Sequence, residues 1–139
     1  MNLNAVINKC LNMSFYDLQD FAGENYKKMY LYITETETGE TANDILIGTI
    51  FTCVAADGSL SDREWDFINS FIGGYTYDEA FEVAGQFYNG DAQETTRRLL
   101  SVLPYGIREA YVSLCIAVLC VDKRYKDEEF MFLETILDA

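Results

Sequence analysis

At 139 residues the chain has the length of one domain and can bury a core without disulfide or metal staples. Half of its residues are hydrophobic and 14% are aromatic, which excludes a disordered acidic tail. Its 23 acidic against 10 basic residues give a formal charge of -13, so phosphate backbones and anionic membrane surfaces are repelled, and divalent cations or basic protein segments suit the field better.

Residues 1–13 carry one lysine, no uninterrupted apolar run and no small-residue cleavage pattern, so no export signal is expected there. Ser14, with Asp17 three residues on, opens a helix in the manner of a capping box. Phe15, Leu18, Phe21, Ala22, Tyr26, Met29, Tyr30 and Ile33 recur at three- and four-residue steps and share its apolar face. Residues 34–40, TETETGE, break that period and read as a loop; Thr41 or Asn43 caps the next helix, which stays apolar to Ala56.

Gly58 ends that helix, and Ser61 with Glu64 forms an S-x-x-E box for a third, which closes near Gly73 and Gly74. Thr76 with Glu79 starts a fourth helix, stopped by Asn89-Gly90, and Asp91 with Glu94 starts a fifth. Pro104, the only proline, marks the start of a sixth helix running to about Val121, and a seventh runs from about Asp127 to Leu137. No segment alternates apolar and polar residues as a strand does, so the expected fold is all-α: a compact bundle of about seven helices forming a single domain over residues 1–139.

The longest apolar stretches, residues 45–56 and 110–121, fall short of the roughly 18 residues of a membrane span and read as buried core helices, without direct membrane insertion. Cys10, Cys53, Cys115 and Cys120 have no CxxC spacing, and three of them lie in apolar runs. Buried reduced thiols and a cytoplasmic setting are expected.

Sliding the chain by 65 residues lays 45–72 on 110–137, and apolar positions then fall on apolar positions: Ile47 on Val112, Phe51 on Ile116, Val54 on Leu119, Trp65 on Phe130, Phe67 on Phe132 and Ile68 on Leu133. Beyond Phe67 with Phe132, identity falls on acids in or beside the loops: Asp57 with Asp122, Asp62 with Asp127, and Glu64 with Glu129. The break between helices falls at the same place in both copies, which makes two pseudo-repeated helix-loop-helix units.

Residues 56–64, ADGSLSDRE, resemble the ADGxxxxxE signature of TerB-like (tellurite resistance) domains, a family that also carries the signature twice. The second copy here, residues 121–129, reads VDKRYKDEE, with lysine where the family usually has glycine. The resemblance spans about residues 45–137 and implies an all-helical module associated with tellurite and other stress responses. It also implies a metal site made by the Asp and Glu of both copies, which here are Asp57, Glu64, Asp122 and Glu129.

Chemistry gives the same four residues a reason. Two loops brought together would converge four carboxylates, and like charges within about 4–6 Å recruit a cation or a proton. Oxygen-only ligation with no histidine suits calcium, magnesium or manganese. The competing reading is local: Glu64 is explained as the partner of the Ser61 cap, and Lys123, Arg124 and Lys126 neutralise the second loop internally. An EF-hand is excluded, because its glycine is misplaced and position 12 of the loop is Ile68.

The absence of any histidine removes the commonest general base and every Ser-His or Cys-His nucleophile, so no enzyme is expected. Two functions then stand: a metal-binding stress-associated module, or a metal-independent domain whose acidic, tyrosine-rich surface binds a basic protein partner.

Overall fold

The computed structural model describes residues 1–54, 60–85, 92–121 and 127–138. Every regular element among them is a helix: α1 (Leu3–Leu11), α2 (Phe15–Ile33), α3 (Gly39–Val54), α4 (Asp62–Asn69), α5 (Tyr77–Gly85), α6 (Ala92–Ser101), α7 (Tyr105–Val121) and α8 (Asp127–Leu137). No helix among the described residues is long and apolar enough to cross a membrane.

The all-α expectation holds: the described residues form eight helices where about seven are expected, and α3 starts at Gly39 with Thr38 Oγ1 accepting from the Thr41 amide, ahead of the expected Thr41 or Asn43 cap. The addition is α1, in the segment expected only to lack an export signal. The Asn2 side chain accepts from the Ala5 amide at 3.1 Å and caps it, and Leu3, Val6, Ile7 and Leu11 lie on one face against the core, with Cys10 buried among them. At nine residues α1 is too short to persist alone, so its stability comes from the face it buries.

The bundle is built around α7, which touches α1, α2, α3, α4 and α8. Residues 110–121 are all buried, as an apolar helix without a polar face must be. The second apolar helix, α3, touches α2, α5, α6, α7 and α8, and its residues 46–54 are buried in turn.

The threonines and the asparagine carried inward find partners. Thr49 Oγ1 donates to the Leu46 carbonyl and Thr52 Oγ1 to the Gly48 carbonyl, while Thr96 Oγ1 on α6 donates to Thr52 Oγ1 at 3.1 Å. Asn25 on α2 folds its side-chain amide back to the Phe21 carbonyl. The Tyr111 hydroxyl crosses from α7 to α3 and donates to the Thr49 carbonyl at 2.6 Å.

Aromatic rings tie α4 and α5 to this centre. Phe51 meets Trp65 and Phe81 edge-on with centroids 6.3 and 5.0 Å away, and Trp65 in turn meets Tyr77. Between α4 and α5 the chain turns at Gly74, whose φ of 94° lies where other residues are strained. At the far end, Arg108 Nη1 donates to the Ile136 and Leu137 carbonyls, setting a guanidinium on the negative end of α8.

Candidate functional site

The acidic segments are set by where α4 and α8 begin. Both start on an aspartate, Asp62 and Asp127, at the 65-residue offset of the two units. Matched core positions share their burial: Ile47 and Val112, Phe51 and Ile116, Phe67 and Phe132, and Ile68 and Leu133 are all buried. Trp65 and Phe130 are both partly buried against the core.

At the start of α4 the expected capping box is present. Ser61 Oγ accepts from the Glu64 amide at 3.0 Å, and Glu64 Oε1 accepts from the Ser61 amide at 3.1 Å. Glu64 is buried, and its charge reaches the Tyr77 phenol on α5. The same device recurs at α5, where Thr76 and Glu79 exchange backbone and side-chain bonds as the sequence predicts. Replacing Ser61 with alanine removes one half of its box and is expected to cost about 1 kcal/mol, within a range of roughly 0.5–2, read from the urea midpoint. An unchanged midpoint would mean that the box does not hold α4.

Glu129 sits on α8, partly exposed, and its negative charge acts on the thiol of Cys53 in the last turn of α3. The helix that carries Glu129 packs against α3, whose end leads into the first acidic segment, and among the influences that raise the Cys53 thiol Glu129 is the smallest, after Cys115 and burial. Asp57 and Asp122 lie outside the described residues, as do Lys123, Arg124 and Lys126. Of the four expected ligands the structure thus positions Glu64 and Glu129. Among the described residues no three Cys, Asp or Glu side chains gather as a metal-holding group.

Two thiol pairs are a feature that residue spacing does not reveal. The Cys120 thiol on α7 raises that of Cys10 on α1, and the Cys115 thiol on α7 raises that of Cys53 on α3. All four cysteines are buried and unbridged. The partner thiol, then burial, pushes each of Cys10 and Cys53 well above the ordinary thiol value of 9.0. Burial likewise lifts Tyr26 above 10.0, with Tyr30 adding to the shift, and its hydroxyl is bonded to Asn43.

These raised groups give the protein an alkaline limit. A group whose proton is held more tightly when folded contributes stability in full below its unfolded pKa, and that contribution is lost as the pH climbs. Unfolded thiols ionise near 9.0 and phenols near 10.0. The urea midpoint is therefore expected to hold to about pH 8 and to fall steadily from pH 9 to 10.5; a midpoint level across that interval would contradict the assignment.

Comparison of the chain with protein-family models, with curated proteins and with solved structures returns no match.

Proposed function

We propose that the chain is a non-catalytic module of TerB-like type that binds a hard divalent cation between its two acidic loops, with Asp57, Glu64, Asp122 and Glu129 as ligands. The observation that carries this reading is the packing of α8, which bears Glu129, against α3, whose last turn leads into the first acidic loop. The start of α4 and α8 at matching aspartates supports the same arrangement. Carboxylates alone suit calcium, magnesium or manganese, and the sequence offers no histidine to draw zinc or copper. The cytoplasm is the proposed setting, where four buried unbridged thiols stay reduced.

A cation that binds only the folded state raises its stability by mass action, by about 2.7 kcal/mol at a hundredfold excess over Kd. Millimolar calcium, magnesium or manganese is therefore expected to raise the melting temperature beyond the effect of sodium chloride at equal ionic strength. The double variant Asp57→Asn/Asp122→Asn should abolish that rise. If none of the three cations moves the melting temperature and the double variant melts like the parent, the metal reading fails.

The second reading, a metal-independent domain that binds a basic protein segment, has its own support. The chain carries a charge of -13, and it leaves Tyr16, Leu31, Val102 and Met131 more than half exposed. In that case a cationic peptide binds with a strong dependence on salt and none on the divalent cation.

A further inference from the structure

A cavity of about 570 Å³ lies between α1, α2 and the first half of α7, within the size range of small-molecule sites. Its floor holds polar groups that the fold does not use. Ser113 is 7% exposed, and among the described residues its hydroxyl makes no hydrogen bond, not even the bond to a preceding carbonyl that Thr49 and Thr52 make within their own helix. Asn25, also 7% exposed, donates one N–H to the Phe21 carbonyl, while its side-chain oxygen accepts no bond among the described residues. A buried hydroxyl and a buried amide oxygen lining one cavity are recognition groups for a polar ligand.

The rim carries both signs of charge. Lys9 on α1 and Lys28 on α2 line it, and neither forms an ion pair among the described residues, in a chain with 23 acids to 10 bases. The Lys9 ammonium stands over the Phe21 ring, 5.1 Å from its centroid, which holds it at the cavity. The first turn of α7, the positive end of that helix dipole, joins the lining at Gly106. Opposite in sign are Glu24 and Glu109, of which Glu109 lies 3.9 Å from the Met1 ammonium. Lysines and a helix N-terminus suit a carboxylate, glutamates suit an ammonium, and the Phe21 ring suits an apolar group.

We propose that this cavity binds a free α-amino acid with an apolar side chain, its carboxylate taken by Lys9, Lys28 and the Ser113 hydroxyl, its ammonium by Glu24 and Glu109, and its side chain by Phe21. A zwitterion uses both signs of the lining. A simple anion meets the two glutamates as like charges, and a simple cation meets the two lysines in the same way, so each is disfavoured against the ligand that carries both groups. No bond is made or broken. This inference does not depend on the metal reading, which concerns the loops before α4 and α8.

The test is calorimetric titration of the full chain with valine, leucine, methionine and phenylalanine, each beside its two analogues that lack one charge, the deaminated acid and the decarboxylated amine. A chelator in the buffer keeps the result separate from any divalent cation. At least one amino acid is expected to bind at one site per chain, with both of its analogues weaker by about tenfold or more, the loss that follows from removing one charged contact. Ser113→Ala removes a hydroxyl that has no partner among the described residues, so the free variant should melt no lower than the parent while the amino acid binds about tenfold more weakly. Lys28→Gln, at an exposed position, should weaken binding by a similar factor and leave the melting temperature unchanged. Three results overturn the proposal: no binding by any of the four amino acids, an acid or amine that binds as tightly as its parent, or undiminished binding by both variants, which would put the ligand elsewhere. The analogue series in the unsubstituted protein keeps the test decisive even if a variant fails to fold.

Discussion

Phe51→Ala is expected to lower the stability of the protein by about 3–5 kcal/mol, the usual cost of deleting a buried phenylalanine. The residue is fully buried on α3, and its ring is the one both Trp65 of α4 and Phe81 of α5 lean on. Its loss therefore removes apolar contact in three helices at once and leaves a cavity that two large edge-on rings cannot fill without giving up their own packing. For a chain of this size the melting temperature should drop by more than about 10 °C. A drop of only a few degrees would mean that Trp65 and Phe81 collapse into the space, and that α4 and α5 are held from elsewhere.

A loss of similar size is expected for Tyr111→Ala, again about 3–5 kcal/mol, and here the phenol can be divided from the ring. Tyr111 is fully buried on α7 and is bound to α3 through its hydroxyl and the Thr49 carbonyl. That carbonyl sits inside a helix, so losing the hydroxyl alone forgoes a bond without stranding the oxygen in an apolar place. Tyr111→Phe is therefore expected to cost about 0.5–1.5 kcal/mol. Urea midpoints for the two variants check the division. Equal losses would mean that the inter-helix bond, and not the ring, joins α3 to α7.

The helices α2 to α8 are legible in the sequence because their signals are local. Ser14 with Asp17, Ser61 with Glu64 and Thr76 with Glu79 each place a cap three residues ahead of its partner, and the structure makes each of those bonds. The two apolar runs are legible for a similar reason, since a helix with no polar face has nowhere to go but inside. α1 carries the same kind of pattern, but nine residues lie below the length at which pattern alone makes a helix, and the deciding term is docking on α7.

The candidate site divides along the same line. Glu64 is legible as the partner of Ser61, three residues away. The packing of α8, which carries Glu129, on α3 and of α1, which carries Cys10, on α7 joins residues far apart in the chain. These contacts follow from how α8 and α1 cross the two apolar helices, and no spacing rule encodes that.

The helix on which α1, α2, α3, α4 and α8 pack is also made after most of them. Protein synthesis at about 5–20 residues per second puts the completion of α7 on the order of ten seconds after α2 has emerged. Over that interval α1 lacks the helix it chiefly packs on and α2 has only part of its surface, in α3, on which to lay its apolar face, so the nascent chain exposes apolar faces of the kind that chaperones shield. Translation that stops before Tyr105 leaves α1, α2, α3 and α4 without the helix they all touch, so it is expected to yield no smaller version of the domain.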